Sequence, residues 1–259
     1  MPKRIRLFAC LFSLWPILLE AEPAKIPHGT VELVSAVSSI QPDSSFQVGL
    51  FFQLEPGWHI YWKNPGDSGQ PPRITWKLPN ELTPGEIEWP APKRLPVGPL
   101  LDYGYEGNVL LPITFQAGAN LRNELPQALQ ANLRVLICRE TCMPGKASLS
   151  LTLPVRKGAA EPVTANQKLF SQANEAKPQA LPSAWKASAQ QSASEITLSV
   201  SGLPSAATID FIPVHPNQIE NAAAQKKTAA GLILKKPAAA KADRSTLDGL
   251  LYVEKRAYN

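Results

Sequence analysis

From Thr30 onward apolar and polar positions alternate with a period of two, the spacing of a strand that buries one face. In the run from Phe46 to Leu54 the even positions Phe46, Val48, Leu50, Phe52 and Leu54 are apolar, while Gln47, Gly49 and Gln53 fall on the other face. Trp58, Ile60 and Trp62 alternate with His59, Tyr61 and Lys63, and Ile74 and Trp76 with Arg73, Thr75 and Lys77. Shorter alternating runs follow at 109–116, 133–138 and 147–153. Between them, 64–72, 89–92 and 95–99 are rich in Pro and Gly and predict rigid surface loops. Short strands joined by turns, without intervening helical patterns, predict a mainly β protein built on an antiparallel β-sandwich.

The pattern changes after Pro154. Thr164 is placed to cap a short helix with Leu169, Phe170 and Ala173 on one side, ending before Pro178. Alternation then returns: Ile196, Leu198 and Val200 are separated by Thr197 and Ser199, and further strand runs lie at 207–213, 231–235 and 247–253. The Ala- and Lys-rich stretches 219–228 and 236–246 read as solvated loops. The predicted organisation is a first sandwich over 22–156, a linker with a short helix over 157–183, and a smaller second β domain of sandwich type over 184–259.

Composition adds a location. Pro accounts for 26 of 259 residues, about twice its usual ~5% share, which disfavours long helices. Residues 1–21 combine a basic start (Lys3, Arg4, Arg6), an apolar run from Leu7 to Leu19 and a small-residue end at Ala21, the layout of a cleaved secretory signal peptide. The run is shorter than the roughly 20 residues of a spanning helix, and Cys10 leaves with it. Removal of three basic residues and one acid lowers the net charge from +5 to +3. That balance gives no reason to expect a nucleic-acid partner. An exported protein is predicted, in a compartment where disulfides form.

The mature chain then holds two cysteines, Cys138 and Cys142. Leu133, Val135 and Ile137 form the apolar face of their strand, so Cys138 shares the opposite face with Arg134. In an extended strand the two Cα atoms would stand about 13 Å apart, beyond disulfide reach, so pairing requires a turn between them. Arg139 and Lys146 are candidates to stabilise a thiolate, opposed by Glu140. From the residues alone three readings stay open. One is a structural disulfide, which would close a very small loop and so constrain the unfolded chain little. Another is a copper or zinc site using the two thiols with one or two of the scattered His28, His59 and His215. The third is a thiol pair open to exchange. No Ser-His-Asp set, phosphate loop or pair of catalytic carboxylates is recognisable, and no cofactor is called for. In the aromatic stretch from Trp58 to Trp62, the inward residues are expected in the core, leaving His59 and Tyr61 as functional candidates.

Three pieces of this chain, in order, resemble a known family. They are Gly57-Trp58-His59-Ile60-Tyr61-Trp62-Lys63-Asn64-Pro65-Gly66-Asp67-Ser68-Gly69, then Tyr103-Gly104-Tyr105-Glu106-Gly107 leading to Leu111-Pro112-Ile113, and Cys138-Arg139-Glu140-Thr141-Cys142-Met143-Pro144. Over about 28–155 the sequence is similar to the N-terminal periplasmic domain of the thiol:disulfide interchange protein DsbD and its ScsB relatives, which are linked to copper tolerance. The resemblance implies an immunoglobulin-like sandwich and a thiol:disulfide oxidoreductase of the protein-disulfide reductase type. Cys138 and Cys142 would be its redox pair, shielded by a cap loop near Asp102, Tyr103, Gly104 and Tyr105. The implied partners are a membrane-embedded thiol donor of the DsbD/CcdA type and periplasmic disulfide or thioredoxin-like proteins. These 259 residues carry no stretch resembling the membrane and thioredoxin-like domains of full-length members, so the electron donor is expected to be external.

Overall fold

A computed structural model describes residues 23–122, 125–204, 207–237 and 246–259. The predicted signal peptide, with Cys10, lies outside the described residues. Strand makes up 55% of the structure, with one short helix among the described residues. The first eleven strands are β1 (Ala24–Ile26), β2 (Gly29–Ser35), β3 (Ser45–Leu54), β4 (His59–Gly66), β5 (Arg73–Lys77), β6 (Leu82–Ile87), β7 (Lys93–Val97), β8 (Leu100–Glu106), β9 (Asn108–Ala117), β10 (Gln127–Cys138) and β11 (Cys142–Leu153). They form two antiparallel sheets, ordered β1-β2-β3-β9-β6 and β11-β10-β4-β8-β7, with β5 added to β10.

The alternation decides what each strand buries. Phe46, Val48, Leu50, Phe52 and Leu54 of β3 face Trp58, Ile60, Trp62, Leu129, Leu133 and Ile137 across one core, all nearly sealed from solvent. This is an immunoglobulin-like antiparallel sandwich. Its outer face at Phe51 is covered too, because α1 (Thr164–Glu175) lays Phe170 and Ala173 against Val34, Phe51 and Leu110. Thr164 is the first helical residue and not the cap, a position taken by Val163 without a side-chain cap bond. The tie at this end comes from outside the helix: the Asn166 amide donates to the Ser35 carbonyl at 2.9 Å.

Two predicted loops are strand in part. β4 continues through Asn64 to Gly66 across an irregularity after Tyr61, because the Asn64 side chain is fully buried and donates to the Pro213 carbonyl at 2.7 Å. Pro96 and Leu95 belong to the β7–β8 hairpin, which turns at Gly98 and Pro99.

The remaining strands are β12 (Lys186–Gln191), β13 (Glu195–Ser201), β14 (Ile209–Pro213), β15 (Lys226–Thr228), β16 (Gly231–Lys235), β17 (Gly249–Val253) and β18 (Arg256–Tyr258). They make a four-stranded sheet, β12-β13-β16-β15, and a three-stranded one, β14-β17-β18. Ile196, Leu198, Val200, Leu232 and Leu234 pack against Phe211, Leu251 and Val253 in a second core. The other face of the three-stranded sheet is also apolar, and Ile212, Leu250 and Ala257 join the first core. Both faces of that small sheet are therefore buried, and it couples the two halves of the chain. The expected solvated loop at 219–228 is corrected in part: Ile219 is buried in the second core, Asn221 is buried against Tyr103 of the first sandwich, and 226–228 form β15 beside β16.

Candidate thiol-disulfide site

β10 and β11 form one long hairpin whose register ends on Cys138 opposite Cys142. Only Arg139, Glu140 and Thr141 make the turn, closed by the Arg139 N–H donating to the Thr141 carbonyl at 3.1 Å. The curl that pairing demands is thus supplied by the tip, and the Cα atoms stand 4.1 Å apart with a disulfide between the side chains. Met143, Pro144 and Gly145, which follow the pair, lie in β11. A proline is accommodated there because β11 is the edge of its sheet.

Cys138 also pairs with His59 of β4, and His59 with Glu106 of β8. Directly opposed residues share a face, so Cys142, Cys138, His59 and Glu106 form a row on the outside of the sheet. Tyr61 is one step along the same face. The two cysteines differ sharply in access: Cys138 is 2% exposed, whereas Cys142 is exposed.

A buried polar cluster adjoins Cys142. The Tyr61 hydroxyl lies 3.6 Å from Cys142 Sγ and 3.4 Å from Asp102 Oδ2. Ser68 donates from its hydroxyl to both Asp102 oxygens, at 2.9 and 2.8 Å, and from its backbone N–H to Oδ1 at 3.0 Å. His59 Nε2 stands 3.6 Å from Asp102 Oδ2. Burial pushes the Asp102 carboxyl upward, but the contacts with His59 and the Ser68 donors outweigh it, and the pKa ends below the usual carboxylate range. Burial, reinforced by the Asp102 charge against a Ser68 hydrogen bond, pushes the Tyr61 phenol up to about 12. At neutral pH the cluster therefore presents a carboxylate and a neutral phenol to the sulfur.

What lies over Tyr61 is a turn following β4. Gly69 has φ +75°, and a Cβ there would fall 2.0 Å from the Tyr61 ring, so the chain passes as closely as only glycine permits. Asp67 fixes the turn by accepting from the Leu101 N–H at 2.8 Å and from the Asn221 amide at 2.8 Å.

Asp102, Tyr103, Gly104 and Tyr105, expected in a cap loop, are the middle of strand β8 and are buried. Tyr103 and Tyr105 point into the core, with hydroxyls donating to Asn221 Oδ1 at 3.0 Å and to the Pro90 carbonyl at 2.7 Å. Asp102 alone of the four contacts the network at Cys142. Arg139 is held beside the tip with its guanidinium carbon 5.5 Å from the Trp58 ring, whose plane stacks on His28 at 3.6 Å. Lys146 is four register positions from the disulfide, opposite Arg134. Ser68, Asp67 and Asn221 were not singled out from sequence. The first two stand in the Asn64–Gly69 motif, but nothing in the pattern around Asn221 links it to residues more than 110 positions earlier.

Residues 30–154 match the family model for the N-terminal part of the thiol:disulfide interchange protein DsbD. This segment belongs to the DsbD N-terminal family. It is a thiol:disulfide interchange module, and its paired cysteines sit where the hairpin tip meets the buried cluster. The crystal structure of the N-terminal periplasmic domain of ScsB from Proteus mirabilis is similar to the chain with a TM-score of 0.67 and 19% identity, covering 91% of this chain and 94% of that one. At that identity the likeness is one of fold, and it extends beyond the DsbD-like segment into the second β region. No curated protein sequence matches the chain. Among the described residues, no group of three or more His, Cys, Asp and Glu side chains is arranged to hold a metal ion.

Proposed function

We propose that the protein is a periplasmic electron relay that passes reducing equivalents through Cys138 and Cys142 to partner disulfides. The observation that carries this reading is the asymmetry of the pair, a buried Cys138 joined to an exposed Cys142 at a hairpin tip. In the reduced protein the Cys142 thiolate attacks a partner disulfide, forming a mixed disulfide and releasing one partner thiolate. Cys138, as thiolate, then attacks Cys142 Sγ, closes the internal disulfide and releases the second partner thiolate. Two electrons pass to the partner, whose thiolates take up two protons. Recharging is the reverse: a donor thiolate attacks Cys142 and Cys138 departs. The donor is a membrane-embedded thiol protein of the DsbD/CcdA type, and the acceptors are periplasmic disulfide or thioredoxin-like proteins. Residues 1–21 act as the export signal, 22–156 as the redox domain, and 184–259 as a second domain joined by the helical linker.

The test is trapping. Cys138→Ser should accumulate a mixed disulfide with a model disulfide substrate, and Cys142→Ser should not. The wild-type pair should have a potential near about −180 to −230 mV. A value below about −300 mV, the range of resistant structural bonds, would sink the relay.

A further inference from the structure

The outer face of the sheet that carries the disulfide also carries an unneutralised line of positive charge. Arg134 of β10 is directly opposite Arg73 of β5 on one side and Lys146 of β11 on the other. All three side chains are exposed, as alternation requires of residues that flank the inward Leu133, Val135 and Ala147. Opposed residues on neighbouring strands have Cβ atoms about 5 Å apart, and like charges so placed repel. Among the described residues no carboxylate forms a salt bridge with any of the three. By contrast, Lys93, Lys177 and Lys235 each pair with a glutamate. Thr75, Asn132 and Ser148 form the next row, and the two rows line an open groove of about 660 Å³. The Ser148 hydroxyl donates to Asn132 Oδ1 at 3.0 Å, which leaves the Asn132 amide donors facing the groove. The fold thus brings together cations and neutral donors with no acceptor of their own.

Position gives the row its use. Arg134 and Cys138 are four residues apart on one strand and one face, so the row lies about 13 Å from the disulfide. Only Leu136 and Pro144 intervene. A protein seated on exposed Cys142 with a patch of ordinary size, ~800 Å² or roughly 30 Å across, covers the row as well.

We infer that the Arg73–Arg134–Lys146 row is a docking site for an acidic segment of the protein that exchanges with Cys142. The inference rests on the exchange reading above and names the chemistry of the partner surface. Its main effect is on encounter: opposite charge speeds and orients association more than it alters the thiol chemistry.

The test uses the purified protein and three synthetic peptides, each with one cysteine followed, after a four-residue spacer, by a tract of Glu, Gln or Lys. The rate at which each peptide thiol forms a mixed disulfide with oxidised protein is measured at low salt and at about 1 M salt, where the screening length is about 3 Å. Dithiothreitol serves as an uncharged reductant. The Glu peptide should react at least roughly tenfold faster than the Gln peptide at low salt, and the Lys peptide slower, with the differences gone at high salt. In the Arg73→Glu/Arg134→Glu variant the order should invert, and in Arg73→Gln/Arg134→Gln it should flatten, while both variants keep the wild-type rate with dithiothreitol. Equal rates for the three peptides on a wild-type protein that dithiothreitol reduces normally would overturn the docking site and leave the exchange reading standing. A Glu advantage that persisted in both variants would also overturn it, since the charge would then act elsewhere. A disulfide inert to dithiothreitol and to every peptide would overturn the exchange reading, and docking with it.

Discussion

At Cys142 two neighbours act in opposite senses on a thiolate. The Asp102 carboxylate, kept ionised by His59 and Ser68, repels negative charge, while the Tyr61 hydroxyl, kept protonated to about pH 12, can donate a hydrogen bond to it. Asp102→Asn should therefore lower the pKa of the Cys142 thiol in reduced protein, by about one unit, and Tyr61→Phe should raise it. Thiolate absorbance and alkylation rate followed against pH give both numbers, and a rise in Asp102→Asn would contradict the assignment. The same carboxylate links stability to pH. Its folded pKa lies below the unfolded value, so its contribution is complete above the unfolded carboxylate pKa and is lost as pH falls through the folded one. The urea midpoint of wild type should accordingly exceed that of Asp102→Asn at neutral pH, and the gap should close in acid.

The strands were legible because their chemistry is local: apolar side chains two residues apart face one core whatever the rest of the chain does. Phe46 to Leu54, Trp58 to Trp62 and Ile196 to Val200 show this directly. The off-core placement of Cys138 followed from the same parity. Residues 102–105 did not read correctly as strand, because Asp102 and Gly104 look like turn residues until β4 lies beside them and the backbone of Ile60 and Tyr61 closes on Gly104. Nor did parity show that His59 and Tyr61 are buried, since the cover is a turn whose path depends on Asp67 and Asn221. That turn makes its own prediction. Gly69→Ala places a Cβ into the Tyr61 ring at a positive φ, and should cost about 1–3 kcal/mol. Relief by displacement of the turn would uncover Tyr61, so the variant should show a lower thermal midpoint together with faster reduction by a small thiol. Ile137→Ala, which removes core volume next to Cys138, should cost about 2–5 kcal/mol without that kinetic change. Separating the two outcomes tells whether the turn shields the site or merely packs on it.

On the scale of the whole molecule, the small sheet β14-β17-β18 is buried on both faces, so the second half of the chain is packed to the redox sandwich through Ile212, Leu250 and Ala257. Besides the Asn64–Pro213 hydrogen bond, the contact reaches the turn beside the site through Asn221. Asn221 donates to Asp67, accepts from Tyr103, and offers its carbonyl to Arg94 at 3.4 Å. Asp67 in turn anchors the turn whose next residue, Ser68, holds Asp102. Asn221 is thus linked to Cys142 through Asp67, Ser68 and Tyr61. Asn221→Leu leaves the buried Tyr103 hydroxyl without its acceptor and removes the amide bond to exposed Asp67, which should cost about 1–3 kcal/mol. A purely structural role predicts a lower midpoint with an unchanged thiol pKa and unchanged small-thiol kinetics. A positioning role predicts that the Cys142 pKa moves as well, downward, because a loosened turn no longer holds Ser68 against Asp102 and the carboxylate loses its grip beside the sulfur. Asn221→Asp tests the charge instead, since it sets a second carboxylate 2.8 Å from Asp67 and should displace the turn even more strongly. If both variants lost stability yet kept the wild-type pKa and reduction rate, the second half would be a scaffold only. If the pKa shifted, residues 67–69 would be the route by which the far half of the chain sets the reactivity of the pair.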